Sequence, residues 1–329
     1  EPEQKNEKLP TPVLYVVGSN WRGRFAHLVS TVELLESAVH VPEMLVVGVD
    51  LPEGNGVLIP GRDNGGEAGT DEWLQFLTHE LFPSVDEKWN VAPYRMLFGA
   101  SNSGLFVLWA LFDRSDAINA VVASSPMIGW SPELFNEKFE AWIAADSPGE
   151  RGLAMVWSDD DFSRVTDYAP AFAERLGRDG RDWLRWSADE VSALGHVPPG
   201  DLALGLRQVF SDWAVPSEIR NVNEVVSHFE RLESRFGFPV PVPAGPLADL
   251  GFQAWSDERF TDAREAFTSV STYAPNDPLG PAGLALVAHS EGRIEEARTL
   301  ALKATEMDPE SDIAKRVLRR VTAAPVTEE

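Results

Sequence analysis

Six short apolar runs alternate with longer stretches of helical periodicity along the N-terminal part of the chain. The runs lie at 12–18, 44–49, 95–100, 119–124, 153–158 and 182–187, and helical patterns lie at 73–89 and 167–176. Strands that are apolar along nearly their whole length are typical of a parallel sheet with both faces covered by helices. The sequence therefore predicts an α/β fold with a mostly parallel central sheet, in which functional loops gather at the carboxyl ends of the strands.

A small-residue turn follows the third of these runs. Residues 95–109 read RMLFGASNSGLFVLW, an apolar strand, a sharp turn at Ser101 and the start of an apolar helix. A serine at such a turn projects its hydroxyl from the sheet edge, where the first amides of the helix stabilise negative charge. The nucleophile pattern G-x-S-x-G is met by Gly99 but not by Ser103, although Gly104 follows and keeps room for strand and helix to approach. Such turns also occur in α/β proteins with no catalytic role, so both interpretations stay open at this stage.

An acid and then a histidine follow the turn, in the chain order that an α/β-hydrolase triad requires. The fifth run leads into Asp159, Asp160 and Asp161, and His196 lies on a loop rich in glycine and proline after the sixth run. The two other histidines after Ser101 lie in helical patterns. We expect His196 to take the proton of Ser101 during attack on an ester carbonyl, and Asp161, or else Asp160, to fix the imidazole tautomer. The alternative for the aspartates is a solvated acidic turn or a cation site.

Two backbone donors are required to stabilise the oxyanion of the tetrahedral intermediate. The amide of Asn102, directly after the serine, is the expected first donor. The loop after the first strand is expected to supply the second, with Ser19 and Asn20 as the candidates. An ordinary turn is the alternative for this loop.

Aromatic residues between the fourth and fifth runs are candidates for a substrate pocket. We expect Trp130 to line the pocket, and Phe135 and Trp142 to pack in the core. Arg62 and Asp63, in a glycine-rich loop, either bind a polar or carboxylate-bearing substrate or form an internal ion pair.

Composition excludes several classes of protein. The chain has 329 residues, 43% of them hydrophobic, and its 28 Lys and Arg against 52 Asp and Glu give a net charge of −24, which repels nucleic acid. No apolar run reaches the roughly 18 residues of a membrane span. Cysteine is absent, and no metal-ligand spacing, phosphate loop or dinucleotide fingerprint implies a cofactor. Because the chain begins at Glu1 with a polar stretch, we expect a periplasmic or secreted protein, with the cytoplasm left open.

Several separated segments resemble a single family. They are 12–17, 65–77, 79–83, the turn at 99–106, 125–126 with Trp130, and 195–196. Over about residues 11–215 the chain resembles the esterase family that includes enterochelin esterases, feruloyl esterases and esterase D. The resemblance implies an α/β-hydrolase fold and a serine carboxylic-ester hydrolase with Ser101 as nucleophile and His196 as base. Many members have Asp-Gly after the first strand where this chain has Gly18-Ser19, which leaves the shape of the oxyanion loop open.

The C-terminal part carries a repeat of a different kind. Leu250, Gly251, Ala263, Phe267 and Pro275 fit the tetratricopeptide (TPR) pattern, which Leu284, Ala297, Ala301 and Pro309 repeat after 34 residues. A closing helix is expected at 311–321. The predicted domains are an α/β-hydrolase domain at 1–215, a bridging helix and proline-rich linker at 216–244, and a small all-α TPR-like domain at 245–329. An array of such repeats needs about three of them to be stable on its own. We therefore expect these two to dock on the hydrolase domain or on a second copy of the chain.

The sequence as a whole predicts a serine esterase that cleaves a small-molecule ester of the siderophore-lactone or acyl-sugar type. The alternative is a catalytically inactive hydrolase fold that serves as a binding module, with the TPR-like repeats engaging a protein partner. Formation of a homodimer through the repeats also stays open.

Overall fold

A computed structural model of the chain describes residues 9–20, 23–51, 56–62 and 69–323. Internal packing divides the chain into two units, Glu1–Ala214 with Phe236–Pro239 and Val215–Arg235 with Val240–Glu329. The sequence predicted a bridging helix and linker over 216–244. In the structure, most of that stretch belongs to the second unit, and 236–239 belongs to the first.

In the described part of the chain, the first unit is built on one sheet of six parallel strands. The strands are β1 (Thr11–Val17), β2 (Leu45–Val49), β3 (Val91–Ala100), β4 (Ala120–Ser124), β5 (Arg151–Ser158) and β6 (Leu184–Val191), in the spatial order β2-β1-β3-β4-β5-β6. Each of the six apolar runs forms one of these strands, so the predicted α/β class and parallel sheet are confirmed.

Helices cover both faces of this sheet. They are α1 (Arg24–Ser37), α2 (Thr70–Gln75), α3 (Phe82–Lys88), α4 (Asn102–Asp113), α5 (Pro132–Ala144), α6 (Ser163–Thr166), α7 (Ala169–Asp179) and α8 (Asp201–Val209). A π-helical turn at Phe76–Leu81 joins α2 to α3, where the sequence predicted one helix over 73–89. Tyr15 and Leu97 belong to the core shared with α4, whereas Val122, on the opposite face, meets α8. Burial on both faces explains why inner strands such as β4 and β5 lack polar alternation, whereas the partly exposed edge strand β6 carries polar residues.

The order of the strands creates a crevice at one edge of the sheet. From β1 the chain goes outward to β2, whereas from β3 it goes to β4 on the other side. Such a reversal leaves a gap between the helices at the carboxyl ends of β1 and β3, where α/β proteins bind ligands. Ser101 follows β3 and residues 18–20 follow β1, so both predicted parts of the site open onto this crevice.

An aromatic cluster fills the core beneath α5. Phe135 is 1% exposed and Trp142 is 4% exposed. The ring centroids of both residues lie within 5.4 Å of that of Phe112 in α4. The prediction that Phe135 and Trp142 pack in the core is confirmed.

Burial also controls the ionisation of a tyrosine in the sheet. Tyr15 is fully buried, which raises its pKa from 10.0 to about 12, and the nearby Arg95 opposes part of that rise. Because the unfolded chain loses this proton at the lower pH, we expect stability to fall between about pH 10 and pH 12, by roughly 1.4 kcal/mol per pH unit. Tyr15→Phe should remove the part of this fall in stability that comes from ionisation of the tyrosine.

Urea unfolding at several pH values up to about 11 tests this expectation. The stability of the wild type should fall more steeply than that of Tyr15→Phe, with Tyr273→Phe, at an exposed position of the second unit, as the control for loss of a hydroxyl. Equal slopes for the wild type and Tyr15→Phe would contradict the account.

The second unit is helical throughout its described elements. Its first helix is α9 (Val222–Phe236), of which all but the last residue belongs to this unit. The others are α10 (Ala244–Ser256), α11 (Phe260–Tyr273), α12 (Leu279–Ser290), α13 (Ile294–Met307) and α14 (Asp312–Thr322). From α10 onward each helix packs against the next, and α12 also contacts α10 and α14. Ala263 and Ala297, the small residues expected between paired helices, are fully buried. None of the described helices in either unit has the length and hydropathy needed to cross a membrane.

Candidate active site

Ser101 occupies a strained turn between β3 and α4. Its backbone has φ 62° and ψ −121°, in a region that residues with a side chain rarely adopt. Holding a non-glycine residue in such a conformation costs about 1–3 kcal/mol, so the surrounding structure must fix it. Strain of this kind is typical of a serine presented at the top of a sheet.

Two glycines allow α4 to lie close to the sheet at this turn. A Cβ on Gly99 would lie 2.2 Å from the carbonyl oxygen of Ser103, and one on Gly104 would lie 2.7 Å from that of Ser124. The close contacts therefore fall on 99 and 104, which explains why position 103 accepts a serine in place of the motif glycine. Ser103 is 2% exposed and lines the cavity described below.

Replacing Gly104 with Ala should destabilise the first unit by more than about 2 kcal/mol, because the methyl group would collide with main-chain atoms of the sheet. Gly177→Ala in α7 is the matched control, since a Cβ there makes only an ordinary contact at 3.6 Å. The control should be neutral or stabilising, as expected for Gly to Ala within a helix. Thermal unfolding of both variants measures the difference, and similar melting temperatures would refute the steric argument.

His196 and Asp161 form a hydrogen-bonded pair. Nδ1 of His196 lies 2.6 Å from Oδ1 of Asp161, whose side chain is fully buried, whereas that of His196 is 20% exposed. The Phe162 amide donates to the same carboxylate oxygen at 2.7 Å. The exposed ring of Phe162 packs on the imidazole, with 4.6 Å between centroids. An imidazole held in this way by a buried carboxylate has a fixed orientation.

The two preceding aspartates hold the backbone of the histidine loop instead. Asp159 accepts a hydrogen bond from the Ala193 amide at 2.8 Å, and Asp160 accepts from the Gly195 amide at 2.8 Å and from the Ser158 hydroxyl at 2.5 Å. These bonds lower the pKa of both carboxyl groups, chiefly through the Ala193 amide for Asp159 and the Ser158 hydroxyl for Asp160. A lowered pKa means that these bonds stabilise the fold above the ordinary pKa of aspartate, and that this contribution is lost as the pH falls below it.

Ser101 and His196 line one cavity of about 630 Å³. Its wall also includes Ser103, Phe162 and Arg24. Nη2 of Arg24 donates to both carboxylate oxygens of the buried Asp201 at 2.8 Å, which fixes the guanidinium in the wall. The predicted serine and histidine thus line one cavity, and the predicted Asp161 is buried behind His196 and bonded to it.

The loop after β1 differs from the expectation at Ser19. The amides of Gly18 and Ser19 both donate to the carbonyl of Val49, at 2.8 and 3.2 Å, and the Ser19 hydroxyl donates to Asp50. Ser19 is therefore engaged with β2 and holds the loop, so its expected role as an oxyanion donor is corrected. The side chain of Asn20 is likewise bonded, to the backbone of Leu51. Among the described residues of this loop, Asn20 lines the cavity, and its main-chain amide is the candidate donor beside the amide of Asn102, which opens α4.

One protein-family model matches the chain. The model of the family described as "Putative esterase" matches residues 2–171, which is more than half of the chain and includes Ser101 and Asp161. The chain belongs to this esterase family.

Individual esterase relatives extend the comparison. Ferri-bacillibactin esterase BesA of Bacillus subtilis is 26% identical over 149 residues, 42% of this chain and 52% of BesA, so the chain spans about half the length of that relative. An IroE-like serine hydrolase of Shewanella oneidensis has a TM-score of 0.66 at 20% identity, over 82% of this chain and 92% of its own. An uncharacterised protein of Capnocytophaga ochracea has a TM-score of 0.62 at 16% identity, over 98% of this chain and 94% of its own. Because their sequence identity to this chain is low, these two structures show only that the fold is shared.

A second cleft of this esterase-family chain lies beside Trp130. The residue ends a 3-10 turn after β4, is 43% exposed, and has the guanidinium carbon of Arg164 stacked 3.9 Å from its ring centroid. Trp130, Pro60 and Arg62 line a cleft of about 580 Å³. Trp130 therefore lines a cleft distinct from the cavity of Ser101. Asp63, predicted to act with Arg62, lies outside the described residues.

Sequence reasoning missed several residues of this esterase-family site. Phe162 follows Asp161 directly, and Ser125 lies within the Ser-Pro segment that carried part of the resemblance, so both stood beside recognised signals. Arg24 gave no signal, because its carboxylate partner Asp201 is 177 positions away. A pairing over that distance becomes visible only in the folded chain.

Proposed function

We propose that the chain is a serine carboxylic-ester hydrolase with Ser101 as nucleophile, His196 as general base and Asp161 as its acid partner. The observation that carries the proposal is the His196–Asp161 pair, joined at 2.6 Å, on the same cavity as the strained Ser101. Membership of the esterase family supports the same reaction class.

In the proposed reaction, Nε2 of His196 accepts the hydroxyl proton of Ser101 as the serine oxygen bonds to the ester carbonyl carbon. The amides of Asn102 and Asn20 stabilise the charge that develops on the carbonyl oxygen. His196 then gives the proton to the departing alcohol, which leaves an acyl ester on Ser101. A water molecule deprotonated by His196 attacks this ester, and the acid departs as Ser101 regains its proton. Asp161 accepts the Nδ1–H bond and stabilises the imidazolium in both steps.

For the substrate we propose the ester bonds of an anionic siderophore lactone, with an acylated sugar as the second candidate. The curated relative BesA is named a ferri-bacillibactin esterase. Although the chain carries a net charge of −24, Arg62 lines the second cleft and Arg164 stacks on Trp130. Arg24, in the wall of the Ser101 cavity, has its charge paired with Asp201. Cations beside an exposed aromatic ring favour an anionic aromatic ligand over a neutral sugar.

Two assays test the esterase proposal. The wild type should hydrolyse p-nitrophenyl acetate, and a fluorophosphonate should label it covalently, with mass spectrometry locating the adduct on Ser101. Absence of both signals would favour the inactive binding module.

Competing substrates test the proposed substrate class. We expect a ferric catecholate trilactone to be cleaved with a higher kcat/KM than an acetylated sugar. The reverse order would assign the enzyme to acyl sugars.

We further propose that α10 to α13 form two TPR-like repeats and that α14 closes them. The proposal is supported by the 34-residue spacing between Pro275 and Pro309, each of which lies two residues beyond the end of a helix. The burial of Ala263 and Ala297, the small residues of the pattern, agrees with it.

A further inference from the structure

Ser125 contacts both the acid and the loop of the base, although neither the sequence nor the comparisons assign it a role. It follows β4 directly and is fully buried, with φ 44°. Its hydroxyl oxygen lies 2.5 Å from Oδ2 of Asp161 and 2.9 Å from the amide nitrogen of Val197. Val197 is the residue after His196, so one hydroxyl joins the two segments that carry the acid and the base.

The chemistry of the groups fixes the direction of these hydrogen bonds. The Val197 amide can only donate, so the Ser125 oxygen accepts from it. The single proton of Ser125 is then directed to Oδ2 of Asp161. The other oxygen, Oδ1, faces His196 and the Phe162 amide. Ser125 therefore orients the carboxylate so that its remaining oxygen meets Nδ1 of the imidazole.

We propose that Ser125 is a positioning residue of the active site, which holds Asp161 and the His196 loop in the geometry for proton transfer. This inference rests on the function proposed above. Ser125 is not among the described residues that line the cavity, so it acts through Asp161 and His196 and not on the substrate. Its loss should therefore lower kcat and leave KM unchanged.

Ser125→Ala should lower kcat by about ten- to a hundredfold, the range for losing a hydrogen bond to a charged group. Ser125→Gly removes the same hydroxyl and suits the positive φ, so it should show the same loss without added backbone strain. The matched control is Ser124→Ala, because the Ser124 hydroxyl is also buried but has no hydrogen-bond partner among the described residues. The control should keep wild-type kcat and KM.

A double-mutant cycle with Asp161→Asn separates positioning from a general structural role. If Ser125 acts through the acid, Ser125→Ala should change kcat by less than about threefold in the Asp161→Asn background. A loss that persists undiminished in that background would overturn the proposal. So would wild-type kcat in Ser125→Ala, or a failure of both Ser125 variants to fold.

The outcomes also distinguish this inference from the proposed function. An inert wild type with an unlabelled Ser101 would refute the esterase itself. An active, labelled wild type with an equally active Ser125→Ala would refute only the positioning role.

Discussion

Replacing Ser101 with Ala should lower kcat for ester hydrolysis by on the order of a millionfold, which is the scale of losing a serine nucleophile that acts together with its base. The hydroxyl supplies the oxygen that forms the acyl intermediate, so no neighbouring group substitutes for it. Turnover of p-nitrophenyl acetate measures the effect. Fluorophosphonate labelling should disappear together with turnover.

The stability of the Ser101 variants provides a control for this prediction. Both Ser101→Ala and Ser101→Gly lack the nucleophile, but only glycine adopts φ 62° without steric cost. We therefore expect Ser101→Gly to be more stable than Ser101→Ala by about 1 kcal/mol, while both are inactive. Activity within tenfold of the wild type in either variant would mean that hydrolysis takes place elsewhere.

The elements that the sequence predicted well are those encoded by adjacent residues. The strands other than the edge strand β6 are apolar over most of their length, and the turn at Ser101 is marked by small residues over a short stretch. His196 and Asp161 could be chosen because each follows a strand, and the carboxyl ends of parallel strands meet at one edge of the sheet. The chain order of the three residues is the order that an α/β-hydrolase triad requires, and in the structure Ser101 and His196 line one cavity.

The details that escaped prediction depend on pairings between distant segments. The sequence offers Ser19 as a donor, but its amide bonds to the carbonyl of Val49, which lies beside it only because β1 pairs with β2. Ser125 meets Asp161 from 36 positions away and Val197 from 72. No local sequence pattern distinguishes Ser125, whose hydroxyl makes these contacts, from Ser124, whose buried hydroxyl has no hydrogen-bond partner among the described residues.

The choice between the two candidate acids leads to the second large effect. Asp161→Asn should lower kcat by about ten-thousandfold, because an amide in this place no longer stabilises the imidazolium and favours the wrong tautomer of His196. Asp160→Asn is the matched control. The carboxylate oxygen of Asp160 only accepts hydrogen bonds, from Ser158 and Gly195, and an amide oxygen accepts the same two. We therefore expect Asp160→Asn to keep kcat within about tenfold of the wild type.

Steady-state kinetics on one ester substrate, with melting temperatures for each variant, compares the two aspartates directly. The burial of Asp161 against the imidazole and the contacts of Asp160 with the loop backbone predict that only the first substitution abolishes turnover in a folded protein. A large loss in Asp160→Asn together with normal turnover in Asp161→Asn would transfer the acid role to Asp160. It would also mean that the histidine loop takes a different position during the reaction, since Oδ1 of Asp160 is bonded to the Gly195 amide and not to the imidazole.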